Sequence, residues 1–240
     1  MLTCRMKETL ERIVPEAADQ RHIAGDDTLQ LHLSRYEFAS QFARGKVLDI
    51  ACGVGYGSAL LAALPEVREV TGVDLAEEAL ELARERYARP NIRFVQGDCM
   101  TYTGEAVNTI VSLETVEHLP EPEKFIRRIA EQLSPGGVLI ASVPVTPSMD
   151  FNPYHLHDFT PGRFEALMRS AGLEVVDRLL QIQAYRPVAA LRRKEARMAD
   201  ARRSLSAFYL GHPSKFFLRA WSVLRDGFAN KYLTLACRKV

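Results

Sequence analysis

A chain of 240 residues, 47% hydrophobic and 25% charged, suits one domain, or one domain with an insertion, of ordinary globular make-up. Its net charge of +1 argues against the all-round basic surface of a general nucleic-acid or membrane binder. Cys4, Cys52, Cys99 and Cys237 form no C-x-x-C pair and no framework spacing, which reads as reduced thiols in a cytoplasmic protein. The polar start, Met1 to Thr9, is unlike a signal peptide, and no apolar run approaches the ~18 residues of a membrane helix.

Residues 1–27 are polar, with Pro15 and a turn-like Gly25-Asp26-Asp27. Thr28 is placed to cap a helix over Leu29–Ala43, which Gly45 stops. Strands and helices then alternate. Strands are expected at Val47–Ala51, Val70–Asp74, Ile92–Gln96, Thr109–Leu113 and Val138–Val143. Helices are expected at Gly57–Leu64, Glu77–Arg89 and Pro122–Leu133, the last closed by a turn at Ser134-Pro135-Gly136-Gly137. Pro161–Ala171 follows as a helix with Phe164, Leu167 and Met168 inward and Gly172 as its stop. Strands at Leu173–Ile182 and Lys231–Arg238 close the chain. Alternation of this kind predicts an α/β fold, a parallel sheet with helices on both faces, and ligands beyond the carboxyl ends of the strands. Gly53, Asp74, Asp98 and Glu114 each follow a strand and should converge there.

The densest signal is Val47-Leu48-Asp49-Ile50-Ala51-Cys52-Gly53-Val54-Gly55-Tyr56-Gly57, an apolar strand running into a glycine turn and a helix. Glycine lets a backbone approach a ligand closely and takes positive φ without strain. Asp74 ends the next strand, where a carboxylate can accept from both hydroxyls of a ribose. A cap of the following helix is the other reading of Asp74, and one carboxylate can serve both roles. A dinucleotide site would show G-x-G-x-x-G; this loop is G-x-G-x-G, four residues after Asp49.

The order D-x-A-x-G-x-G, Asp49 to Gly55, resembles motif I of the class I S-adenosylmethionine (SAM) methyltransferases, with Ala51 where that family usually has glycine. The resemblance covers about residues 28–183 and the last strand. It implies a Rossmann-like seven-stranded sheet, mostly parallel with an antiparallel final strand. It implies cofactor contacts from Asp49, Ala51, Gly53, Gly55, Asp74, Leu75 and Glu114, and an adenine corner at Gly97-Asp98-Cys99, where Asp98 and the Cys99 backbone would meet the base. A plain strand-end turn is the other reading of that corner. Arg35 and Tyr36, on the helix before the first strand, match a region that in related enzymes meets the cofactor's carboxylate or closes over it. An ordinary surface helix is the alternative.

For the transfer itself, Leu113-Glu114-Thr115-Val116-Glu117-His118 carries E-x-x-E-H, which on a helical turn would bring Glu114, Glu117 and His118 to one side. Two carboxylates and an imidazole make half a divalent-metal site. The segment Asn152-Pro153-Tyr154-His155-Leu156-His157-Asp158-Phe159-Thr160 should lie on the same sheet edge. The pairing resembles ubiquinone-biosynthesis O-methyltransferases and small-RNA terminal 2′-O-methyltransferases, the latter holding a metal with E-x-x-E-H and a later histidine. Remaining context resembles bacterial methyltransferases of glycan and natural-product pathways. This implies either Mg or Mn on Glu114, Glu117, His118 and His155, or a metal-free site with His118, His155 or His157 as base.

The domain expectation is a helical cap over 1–44 and a methyltransferase core over 45–240, with a basic, aromatic insertion at about 186–229. That insertion reads as a solvated helical face, or as a lid or homodimer contact that steers an anionic substrate. Phe208, Tyr209, Phe216, Phe217 and Trp221 favour some buried contact there. The expected function is methyl transfer from SAM to a hydroxyl of a small polar molecule, a sugar or natural product, in biosynthesis, with no membrane partner. Alternatives are N-methylation of a small amine, ribose methylation of RNA, a nicotinamide oxidoreductase, and a cofactor-binding subunit without activity.

Overall fold

The computed structural model describes residues 23–184 and 204–240, with side chains from residue 28 onward. Seven strands of the described residues form one sheet in the order β3-β2-β1-β4-β5-β7-β6. They are β1 (Gly45–Ile50), β2 (Val67–Asp74), β3 (Ile92–Gln96), β4 (Val107–Leu113), β5 (Leu133–Pro144), β6 (Leu173–Ala184) and β7 (Ala229–Lys239). β1 to β5 pair in parallel, and β7 runs antiparallel between β5 and β6.

The helices among the described residues are α1 (Ile23–Ser40), α2 (Tyr56–Ala62), α3 (Glu77–Tyr87), α4 (Pro122–Gln132), α5 (Pro161–Ser170), α6 (Leu205–Gly211) and α7 (Pro213–Asp226). They cover both faces, and the two-residue period of the strands decides what each covers. Leu48 and Ile50 pack with Phe125, Ile126 and Ile129 of α4 and Phe164 and Met168 of α5. Val47 points the other way, with Tyr36 and Ala39 of α1 and Leu61 of α2. Each buried Val, Leu, Ile, Phe or Met side chain in these clusters contributes about 1.5–3 kcal/mol.

Two local expectations are corrected. The turn-like Gly25-Asp26-Asp27 lies inside α1, which starts at Ile23. Ser134–Gly137 lies inside β5: its pairing jumps from Leu133 opposite Val107 to Val138 opposite Thr109. The turn residues are thus absorbed as a bulge, with Gly136 at φ 68°. Strand order reverses between β1 and β4, so the loops after them diverge and leave a crevice at the carboxyl edge.

Candidate active site

The glycine loop after β1 is fastened from below and open in front. Asp49, fully buried, accepts from the Ser58 hydroxyl at 2.6 Å and from Tyr36 Oη at 3.3 and 3.4 Å. Burial pushes its carboxyl up to about 7 despite those hydrogen bonds. Asp49 therefore lies beneath the loop and holds it. Tyr36 does the same from α1. A Cβ at Gly57 would lie 1.8 Å from its ring, so only glycine lets α2 start against it. A Cβ at Gly55 would meet Ala83 and Phe94 at 2.7 Å, which seats the loop on α3 and β3. At Gly53, with φ 57°, a Cβ would meet nothing within 4 Å, so this is the open side. Ala51 takes φ 60°, a left-handed conformation that suits the glycine usual in motif I.

Asp74 faces that open side. Its Oδ2 accepts from the Gly53 amide at 2.8 Å and its Oδ1 from Ala76 at 2.9 Å. The N-cap of α3 is Ala76, not Asp74. A carboxylate has about four acceptor sites, so both oxygens retain capacity for a vicinal diol. Leu75 beside it is 69% exposed, an apolar surface a flat ring could cover. Asp98 is exposed, with Oδ1 accepting from the Met100 amide, and Cys99 is half-buried. Gly53, Gly55, Asp74, Leu75, Asp98 and Cys99 thus follow the carboxyl ends of β1, β2 and β3, with Asp74 bonded to the glycine loop. This donor and acceptor set fits a nucleoside with a free diol.

Arg35 is held inside the fold by its own network. It is 1% exposed, donates from Nε to Gln181 Oε1 at 2.7 Å and stacks over Tyr232 at 4.6 Å. Its Nη1 lies 3.6 Å from Glu114 Oε1, which also accepts from Ser142 Oγ. Glu114 itself sits at φ 49°. Two non-glycine residues in left-handed conformation, Ala51 and Glu114, thus follow the adjacent strands β1 and β4, a concentration typical of functional edges.

That backbone turn separates Glu114 from its expected partners. The helical turn starts only at Val116 and is a single 3-10 turn, so the three-residue spacing does not bring Glu114 round. Glu117, His118 and His155 are the residues that meet, with one ligand atom from each within 4.8 Å of the others. Glu117 is fully buried, and the two imidazoles lie edge to face at 4.6 Å. His118 Nδ1 lies 3.2 Å from the Tyr154 carbonyl, which can only accept. The neutral ring therefore carries its proton on Nδ1 and its lone pair on Nε2, the atom 3.9 Å from Glu117 Oε1. His155 Nδ1 lies 2.6 Å from Ser148 Oγ. His157 is turned away: its Nε2 donates to the Leu119 carbonyl at 2.9 Å. With the Leu156 and His157 amides bonded to the Glu117 carbonyl, it stitches the two loops together.

Sequence reasoning missed what fixes the His155 loop. Asp150, 4% exposed, accepts from Arg219 Nη2 and Nε at 2.6 and 2.7 Å and from Tyr209 Oη at 2.5 Å. Burial pushes its carboxyl up, but the Arg219 hydrogen bonds and charge outweigh this and hold it below the usual range. Lys215 donates to Asp158 at 2.6 Å. Lys215 and Arg219 of the basic insertion are therefore internal anchors. Phe208 is buried and Tyr209 half-buried, while Phe216, Phe217 and Trp221 stay exposed. Arg186, Arg192, Arg193, Lys194, Arg197, Arg202 and Arg203 lie outside the described residues.

Residues 48–141 match the family model of a methyltransferase domain. A ubiquinone biosynthesis O-methyltransferase of Ruegeria pomeroyi is 32% identical over 179 residues, covering 66% of this chain and 69% of that protein. The chain belongs to the SAM-dependent methyltransferases. Within that family, phosphoethanolamine N-methyltransferase 3 of Arabidopsis thaliana is 33% identical over 145 residues, 55% of this chain and 29% of that protein. The methyltransferase chain spans about half to two thirds of the mycobacterial relatives it matches, 47% to 66% of their length. A Bacillus halodurans protein solved as a candidate methyltransferase shares the fold, with TM-score 0.66 at 22% identity over 86% of this chain and 99% of that one. No helix among the described residues is long and apolar enough to cross a membrane.

Proposed function

We propose that the chain binds SAM along the crevice and transfers its methyl group to a hydroxyl of a small polar molecule, a sugar or natural product. Bound SAM supplies an activated sulfonium methyl for in-line displacement. Asp74 holds the ribose diol, Leu75 and the Asp98–Cys99 corner receive the adenine, and Gly53 leaves room for the rest. The donor and acceptor pattern described above supports this assignment.

The observation that carries the hydroxyl reading is the His118–His155 pair over buried Glu117. A hydroxyl must lose a proton to attack, whereas a free amine need not. His118 Nε2 is a basic nitrogen with a carboxylate 3.9 Å away to stabilise the imidazolium it becomes. Glu117, His118 and His155 would also hold a divalent cation such as Mn or Mg through one oxygen and two nitrogens, which would lower the pKa of a coordinated hydroxyl. Glu114 belongs to the Arg35 network in either case.

The test is S-adenosylhomocysteine formation with panels of hydroxyl and amine acceptors, for wild type, His118→Ala and His155→Ala. Turnover of hydroxyl acceptors only, lost in both variants with S-adenosylhomocysteine affinity intact, supports the reading. Undiminished turnover in both variants refutes it. N-methylation of a small amine is the second reading, favoured by the Arabidopsis relative. It predicts amine turnover that survives loss of either histidine.

A further inference from the structure

Both imidazoles of the candidate site are held from one loop and by the same ring atom. His118 Nδ1 lies 3.2 Å from the Tyr154 carbonyl, and His155 Nδ1 lies 2.6 Å from Ser148 Oγ. With Nδ1 engaged in each ring, Nε2 is the nitrogen each keeps for other work. The two partners differ in kind. A carbonyl only accepts, so it holds His118 through an Nδ1–H. A hydroxyl both donates and accepts, so Ser148 can hold the His155 ring in every protonation state. That is the partner required by an imidazole that gains and loses a proton without moving.

Ser148 is itself fixed through its backbone. β5 ends at Pro144, so the Ser148 and Met149 amides beyond it require another acceptor. Asp158 supplies it: Oδ1 accepts from both amides at 2.8 and 3.1 Å, while Oδ2 accepts from Lys215 Nζ at 2.6 Å. A charged acceptor with a cation behind it makes these strong bonds. The Ser148 carbonyl accepts from the Phe151 and Asn152 amides at 3.1 and 2.8 Å, and the His155 amide donates to the Asn152 carbonyl at 3.4 Å. That turn carries His155, seven residues on, back to the Ser148 hydroxyl. Helix α7 grips the turn a second time, with Arg219 Nη2 donating to the Pro147 carbonyl at 2.6 Å. On the reading of His155 as part of the transfer site, we propose that Ser148 is its positioning residue, acting through the hydroxyl on Nδ1, and that Asp158 and Lys215 hold Ser148 in place. The contacts run from α7, through one carboxylate and one serine, to the ring.

The experiment follows the ring nitrogens of isotope-labelled histidines by NMR in the full chain, with His155→Ala to assign the His155 signals. Wild type, Ser148→Ala, Ser148→Thr and Lys215→Met are compared. Turnover is measured beside it with the hydroxyl acceptor of highest activity in the panel above, and S-adenosylhomocysteine affinity by calorimetry. The proposal expects the His155 Nδ1 resonance to move in Ser148→Ala and to stay near its wild-type place in Ser148→Thr, which keeps the hydroxyl. The alanine variant should lose about 10–100-fold in kcat, the usual cost of removing the partner that orients a working histidine, with KM and S-adenosylhomocysteine affinity unchanged. Threonine should restore most of that loss. Lys215→Met should move the same resonance and lower kcat by a smaller factor. An unchanged calorimetric affinity confirms that each variant is folded. The proposal is overturned by a His155 Nδ1 resonance indifferent to Ser148→Ala. Equal loss of kcat in the alanine and threonine variants also overturns it, as does wild-type kcat in Ser148→Ala while His155→Ala is inactive. Full turnover in His155→Ala defeats the reading beneath the proposal, and the proposal with it, while the ring resonances still report the contact by itself.

Discussion

Replacing Asp49 with asparagine should change how the protein's stability depends on pH, by an amount that follows from burial. The carboxyl is shut off from solvent and accepts from Ser58 and Tyr36, and burial pushes it up to about 7 from 3.8. Each pKa unit is worth about 1.4 kcal/mol, so the charged form costs the folded state about 4 kcal/mol above neutrality. The folded state therefore holds a proton between about pH 4 and pH 7 that the unfolded chain releases. The contribution is least unfavourable below the unfolded pKa and worsens as pH rises to the folded value. Between about pH 5 and about pH 8 the linkage amounts to about 2.5 kcal/mol. An asparagine side chain has the shape of the neutral acid and no proton to lose, so Asp49→Asn removes this slope. Urea unfolding of both proteins at the two pH values, with S-adenosylhomocysteine absent, measures it, and all other titrating groups cancel in the difference. Wild type should lose about 2–3 kcal/mol relative to the variant on going from acid to base. A flat difference, or one of opposite sign, would refute the placement of Asp49 as a dry carboxyl under the glycine loop.

Other substitutions test other parts of the account. Ala51→Gly relieves a left-handed alanine at φ 60° and should stabilise by about 0.5–1 kcal/mol, seen as a melting rise of roughly 2–4 °C. Gly57→Ala drives a methyl into the Tyr36 ring and should cost about 1–3 kcal/mol, with a smaller melting shift on adding S-adenosylhomocysteine. Arg219→Ala leaves Asp150 buried without its cation, costing about 3 kcal/mol. It should open residues 204–228 to protease, and adding Asp150→Asn should restore part of the protection. His118→Ala should lower turnover of a hydroxyl acceptor by about 10²–10⁴ while S-adenosylhomocysteine affinity, measured by calorimetry, stays the same.

The alternation of strands and helices was legible because buried parallel strands and amphipathic helices imprint distinct periods on the chain. Phe164, Leu167 and Met168 are inward as their spacing demands. The placement of Gly53, Asp74 and Asp98 just past strand ends was legible for a related reason: glycines and an acid at strand ends are local features. The supports of that edge were not. Asp49, Tyr36 and Arg35 are buried in hydrogen-bond networks that spacing does not announce, Asp49 with Tyr36 and Ser58 and Arg35 with Gln181, because strand alternation turns Asp49 toward α1. Glu114 fell out of the E-x-x-E-H cluster through one backbone torsion, which a spacing rule cannot see. The Asp150–Arg219 anchor joins residues 69 apart and leaves no periodic trace. The arginine-rich composition of the insertion could not reveal that two of its cations point inward.

Calorimetric titration with S-adenosylhomocysteine, on wild type and on Asp74→Ala, tests the central claim most directly. The account predicts one site per chain in wild type, weakened at least roughly tenfold in the variant as the hydrogen bonds to the ribose diol are lost, and no heat with NADH. Equal affinity in both proteins, or binding of NADH instead, would contradict the assignment of the crevice.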